Sequence, residues 1–170
     1  MNRAIEESFI KGYEKYADSL FRYCVFNVND REVAKDIVQD TFMKTWNYIS
    51  KGGVVDNLRA FLYKILKNLI IDHYRLKKST SLDTLMEDEH FDPIVLDEVS
   101  VEEKVDSQLA LKYLRKMPKE YHDVIVMRCM QELSFADIAS ITGEMENTLT
   151  VRYHRGLKKV KEMFEHRNEQ

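Results

Sequence analysis

Between Asn147 and Lys161 the chain carries five lysines and arginines and no acid. Thr148, Arg152, Arg155 and Lys159 recur there at steps of three and four, the spacing that aligns side chains along one helix face. Leu149, Tyr153, Leu157, Val160 and Phe164 take the opposite phase and read as the inward stripe. Cations on such a face can hold phosphates, while short polar groups near the helix N-terminus can reach base edges. Thr148, Arg152, Arg155 and Lys159, with Asn147, Val151 and Lys158 alongside them, are the candidate DNA-contacting residues of this segment. Taken alone, a basic face is as often a plain solvated surface.

The residues just upstream weigh against that plain reading. Ser134 followed by Asp137 has the spacing of a capping box, with Asp in place of the usual Glu. Ala139 is small where a second helix must cross closely, and Gly143 supplies a turn residue able to take a positive φ. Leu149, six residues on, is the apolar residue that seats the second helix on the first. Small residue, glycine and aliphatic residue at these offsets are what a tight helix-turn-helix needs sterically.

Two further constellations lie in the first half. Asp36, Gln39, Asp40 and Met43 fall at steps of three and four, so they share one polar-acidic helix face opposite an apolar one. Such a face is either a solvated flank or a docking surface for a basic partner. From Ala60 to Arg75 one helix mixes aromatics with basic and amide groups. That mixture suits opened DNA, where cations hold phosphates and rings or amides meet unstacked bases. Taken singly, most of those aromatics belong to a core.

No catalytic constellation stands out. The five histidines are scattered, and the chain has no HExxH, no Cys-x-x-Cys and no glycine-rich phosphate loop. No enzyme activity, metal or cofactor is expected. Cys24 and Cys129 each read as a small buried hydrophobe rather than a bridge partner or nucleophile. No segment approaches the ~18 consecutive apolar residues of a membrane span, so no direct membrane insertion is expected. The N-terminal stretch has acids every few residues and no apolar core, unlike a signal peptide. A cytoplasmic protein is the reading that follows.

These residues need scaffolds, and the chain offers two. Its net charge of −3 hides an uneven distribution. Residues 1–81 hold 14 basic and 10 acidic residues, residues 82–106 one and 10, and residues 107–170 11 and nine. Two mildly basic modules thus flank an acidic connector. Five glycines and two prolines leave little punctuation for a sheet, and helical periodicity dominates. The expected fold is all-α: two small helical domains, 1–78 and 107–170, joined by a flexible linker at 79–106, with the helix-turn-helix in the second. In the first, Phe9, Tyr13, Tyr16, Leu20 and Tyr23 form an apolar stripe. Asp30 is placed to cap a helix running to about Ile49, with Val33, Ile37, Thr41, Thr45 and Tyr48 along one face. Residues 51–57 are a turn-rich loop, after which Leu58, Leu62, Ile65, Leu69 and Asp72 mark a helix to about Lys77. In the second, helices are expected near 101–116, 118–131, 135–142 and 146–166, with Pro118 in a first turn.

Together these runs resemble the extracytoplasmic-function sigma factors, the smallest branch of the main bacterial sigma family, over nearly the whole chain. Residues 8–78 resemble the second conserved sigma region through Ala34, Asp36, Gln39, Asp40, Trp46, Ala60, Tyr63, Asn68, Asp72 and Arg75. Residues 107–166 resemble the fourth through Pro118, Ser134, Ala139, Gly143, Thr148, Arg152, Arg155, Lys158 and Lys159. Met145, where a capping Ser is common, and Thr150, where Lys is frequent, depart from the pattern. The resemblance implies a sigma factor that binds core RNA polymerase through the β′ clamp helices and β flap, and promoter DNA. It implies an anti-sigma factor as a further partner. Asp36, Gln39, Asp40 and Met43 would meet the polymerase. Asn57, Lys64, Asn68, Asp72 and Arg75 would engage the −10 element, and the basic helix the −35 element. A two-domain helix-turn-helix regulator that is no polymerase subunit is the alternative; it leaves the acidic face and the basic-aromatic helix unexplained.

Overall fold

Asn29 and Asp30 show how local chemistry turns the chain. Helix α1, Arg3–Val28, stops where Asn29 adopts a left-handed φ of 56° and donates its N–H to the Val25 carbonyl at 2.9 Å. Asp30 then starts α2, Arg31–Ser50: its Oδ1 accepts from the N–H groups of Glu32 and Val33 at 2.9 and 3.1 Å. These bonds satisfy donors that have no partner inside a helix. Two residues therefore reverse the chain without wasted backbone polarity.

The computed structural model describes residues 3–80 and 110–168. The chain divides into two compact units, Met1–Asp92 and Pro93–Gln170. The described residues of both form helices joined by short turns, with no strand among them. Of the expected connector, 79–80 belong to the end of α3 and the rest lies outside the described residues.

In the first unit α1, α2 and α3, Leu58–Thr80, pack against one another. Leu20, Tyr23, Cys24, Ala34, Ile37, Val38, Phe42, Leu62, Tyr63, Leu66 and Ile70 form the core. Thr41 and Thr45 are fully buried, yet each hydroxyl donates to the carbonyl four residues back at 2.8 Å. Polar groups so satisfied cost little to bury. Between α2 and α3 the chain turns on Gly52, φ 90°, with Gly52 N–H to Ile49 O and Gly53 N–H to Tyr48 O, both 3.0 Å. A Cβ on Gly53 would lie 2.3 Å from the Tyr48 ring, so both glycines are needed. Asn57 caps α3, its Oδ1 accepting from Ala60 N–H at 3.0 Å.

The buried face of α3 differs from the expected one. Leu62, Tyr63, Leu66 and Ile70 are buried, while Ile65 and Leu69 are only partly covered and Asp72 is exposed. The run Phe61–Ile71 has more apolar residues than one face can hold, so periodicity alone misplaced the phase by about one residue. On α1, Tyr13 is 52% exposed rather than core and lies against Phe42, ring centroids 4.7 Å apart.

The second unit contains α4, described over 110–116, and α5, Lys119–Ile125. It continues with α6, Phe135–Thr142, and α7, Glu146–Asn168. Leu111, Leu114, Met117, Val124–Met127, Leu133, Ile138, Ile141 and Leu149 are its core. Pro118 is the residue before α5 rather than inside its first turn, with φ −53° and ψ 137°. Past Ile125 the helix widens into one π turn, Val126–Met130, closed by Gln131 N–H to Val126 O at 3.2 Å. That turn corrects the reading of Cys129, which is exposed, its Sγ 3.5 Å from the Tyr153 hydroxyl. One residue added to the helical register ends the apolar phase at Met127. Cys24 is fully buried, and burial pushes its thiol up to about 12. In the native chain near pH 8, a thiol reagent should therefore modify Cys129 quickly and Cys24 only on unfolding. Two thiols titrating together without denaturant would contradict this packing.

Candidate nucleic-acid and protein interfaces

Ser134 and Asp137 build the first helix of the helix-turn-helix as the spacing suggested. The Ser134 hydroxyl accepts from Asp137 N–H at 3.0 Å, and Asp137 Oδ2 accepts from Ser134 N–H at 3.2 Å. Gly143 ends α6 at φ 77° and donates to the Ala139 carbonyl at 2.8 Å. Three residues later α7 begins, and Leu149, 2% exposed, anchors it. Behind this pair, Arg128 pins the entry loop, donating to the Leu133 carbonyl at 3.1 Å and lying over the Phe135 ring.

The inner stripe of α7 is Leu149, Tyr153, Gly156, Val160 and Phe164, with Gly156 in the place expected for Leu157. Leu157 is 37% exposed. A Cβ on Gly156 would sit 2.7 Å from Ile125 Cδ1 and 3.2 Å from Tyr121 Cβ, so the missing side chain lets α7 close onto α5. Periodicity favours a leucine over an adjacent glycine as a core residue, which is why sequence reasoning missed it. Phe135 and Tyr153, and Tyr113 and Phe164, complete the packing as edge-to-face pairs at 5.6 and 5.2 Å. Gly156→Val should destabilise the second unit by roughly 1–3 kcal/mol through overpacking. Thermal unfolding would measure it, and an unchanged midpoint would mean the contact is slack.

This packing turns the basic side outward. Asn147, Val151, Arg155, Lys158 and Lys159 are exposed, and Thr148 and Arg152 are half-buried. All seven sequence-predicted residues thus stand on the accessible side of one helix. They are not equally committed. Arg152 Nη1 is ion-paired to Glu144 Oε2, across from the turn. Lys159 lies over the Tyr121 ring, its Nζ 5.7 Å from the centroid. Lys158 faces Glu162 at 3.9 Å, a loose surface pair. Met145, 76% exposed, precedes α7 and offers no capping oxygen.

In the first unit, Asp36, Gln39, Asp40 and Met43 are all exposed along α2. Beside them a groove between α1 and α2 is lined by Phe9, Tyr13, Phe21, Phe42, Met43 and Trp46, with Gln39 and Lys35 on its edge. Sequence reasoning found the polar face and not the apolar trough next to it, whose residues come from two helices. On α3, Lys64, Asn68, Asp72 and Arg75 are exposed at helical spacing, so they share a face. Asp72 and Arg75 face each other at 3.7 Å. Asn57 stands apart from these four at the N-terminus of α3, where its Oδ1 serves as the cap. Among the described residues no helix is long and apolar enough to cross a membrane, and no cluster of side chains could hold a metal ion.

The Sigma-70 region 2 family model matches residues 13–80, and the Sigma-70 region 4 model matches residues 107–160. Together they span more than half of the chain, in this order. The chain belongs to the sigma-70 family. Its relatives include sigma factors named as ECF and others named only as RNA polymerase sigma factors. RNA polymerase sigma factor YlaC of Bacillus subtilis (strain 168) is 27% identical over 161 residues, 93% of each chain. ECF RNA polymerase sigma factor SigW of the same organism is 26% identical, covering 89% of this chain and 86% of its own. In fold, the chain is similar to the sigma factor RpoE solved with the anti-sigma factor NepR from Bartonella quintana. That likeness has a TM-score of 0.75 at 22% identity, over 94% of this chain and 98% of the other. CnrH, solved with the cytosolic domain of CnrY, gives a TM-score of 0.69 at 18% identity, over 94% and 89%.

Proposed function

We infer that the chain is a sigma factor that binds core RNA polymerase and directs it to promoters. The observation that carries this is the pairing of two sigma-70 regions with two outward surfaces of different chemistry: an acidic face on α2 and a basic recognition helix in α7. An acidic surface suits a basic protein partner and repels DNA, whereas the basic helix does the opposite. One polypeptide with both can bridge polymerase and promoter.

In this reading Asp36, Gln39, Asp40 and Met43 meet the clamp helices of the β′ subunit, and the second unit meets the β flap. Lys64, Asn68, Asp72 and Arg75 line the −10 contact, with Asn57 at its edge. Asn147, Thr148, Val151, Arg152, Arg155, Lys158 and Lys159 engage the −35 element. The modules 1–78 and 107–170 carry these tasks, and the acidic segment 79–106 joins them. The chain does no covalent chemistry of its own; the polymerase does. It acts in the cytoplasm, where polymerase and chromosome are. An anti-sigma protein is a further partner, a reading supported by the similar sigma factor solved with the anti-sigma factor NepR.

Run-off transcription with core polymerase on a randomised promoter library tests the reading. Discrete start sites sharing two spaced sequence elements are expected. Transcripts no different from those of core polymerase alone would refute it.

A further inference from the structure

Arg152 and Glu144 form the only ion pair among the described residues that joins the turn of the helix-turn-helix to α7. Their side chains are 30% and 36% exposed, so the pair is half-sheltered rather than lying open on the surface. Glu144 follows Gly143, whose left-handed backbone fixes the turn, and donates its N–H to the Thr142 hydroxyl at 3.3 Å. Its carboxylate therefore starts from a defined place. Side chains on a helix lean toward its N-terminus. Arg152 accordingly reaches back along α7 toward the turn, the end by which a recognition helix enters the major groove.

A carboxylate beside a DNA-binding helix is costly if it serves only as charge, because it repels phosphate. Glu144 is different because its charge is engaged with one guanidinium nitrogen, Nη1. A bidentate contact to guanine needs two nitrogens on one edge, and the Nε–Nη2 edge is not the one Glu144 holds. The arginine is thus restrained in direction while keeping the edge that reads a base. Restraint before binding removes ordering cost at the moment of contact, and it does so for one geometry only.

We propose that Glu144 is a positioning residue for specificity: it aims Arg152 at one guanine of the −35 element. This inference rests on the sigma-factor reading and on Arg152 as a base-reading residue. Its effect is on discrimination rather than on overall affinity.

The test uses the full chain reconstituted with core polymerase. Binding is measured on promoters carrying every single-base change in the −35 element, for the wild type, Glu144→Gln, Arg152→Ala and the double variant. Arg152→Ala should remove discrimination of roughly 5- to 150-fold at one position. Glu144→Gln should remove at least roughly 5-fold at that same position, while average affinity holds or rises because a negative charge is gone. The double variant should match Arg152→Ala in base preference, since Glu144 sets that preference only through that side chain. Arg152→Lys, which keeps the charge and lacks the planar edge, should also lose the preference and be indifferent to Glu144→Gln. Thermal midpoints of all variants separate these effects from a loss of fold. If Glu144→Gln strengthens every promoter equally and keeps the preference, Glu144 merely repels DNA and the inference fails while Arg152 keeps its role. If Arg152→Ala changes no preference, the base-reading role falls, and the positioning role with it.

Discussion

Asp36→Lys combined with Asp40→Lys is expected to weaken binding of the full chain to core RNA polymerase by roughly two orders of magnitude or more. Both carboxylates are exposed on α2, four residues apart, on the face opposite Ile37, Thr41 and Thr45. The double change swings the local charge from −2 to +2 and sets like charges against a basic partner, at a cost of several kcal/mol. Folding should be spared. Surface substitutions away from caps and cores stay within about 0.5 kcal/mol, and the cap of α2 belongs to Asp30. Affinity for core polymerase is read alongside helical signal and thermal midpoint. Normal affinity in a well-folded double variant sinks the assignment of this face. A large drop in midpoint would mean that the two aspartates serve the fold instead.

The second large effect lies on α7. Arg152→Ala should relax preference at one −35 position by roughly 1–3 kcal/mol. Lys158→Ala should lower affinity for every sequence alike and flatten the dependence of log K on log salt by about one unit. The two residues differ in place and commitment. Arg152 is nearer the N-terminal end of α7 and restrained by Glu144, whereas Lys158 is open to solvent and only loosely faces Glu162. Lys158 is also a cleaner phosphate probe than Lys159, whose removal would strip a cation from the Tyr121 ring. Single-base promoter variants assayed at two salt concentrations separate the two behaviours. Uniform shifts from both substitutions would leave α7 contributing charge alone, with base preference arising elsewhere.

How much of this was legible in the sequence depended on whether local chemistry or tertiary packing decided a feature. Asp30, Ser134 with Asp137, and Gly143 act within a few residues of backbone, and each does in the structure what its type and spacing implied. Leu149 was also readable, because the turn leaves one apolar residue in position to seat α7. Features that depend on a neighbouring helix were harder. The phase of α3 slipped because its apolar run is wider than one face. Gly156 was overlooked because its role is an absence, visible only against Ile125 and Tyr121. Cys129 was placed inside because nothing in Val126–Met130 announces a π turn. The candidate contacts on α2 and α7 follow from helical phase and those on α3 from the family resemblance, and all of them stand on accessible faces. What phase could not supply was their pairing, and the Glu144–Arg152 contact crosses from the turn to the second turn of α7.

The central claim is that this sigma-70 family chain is a polymerase subunit rather than a regulator that reads DNA by itself. Mixing the full chain with purified core RNA polymerase, without promoter DNA, and following the complex by sedimentation tests it most directly. A one-to-one complex is predicted, lost on Asp36→Lys with Asp40→Lys and retained on Arg152→Ala. A chain that stays free of core polymerase yet binds promoter fragments alone would contradict the account.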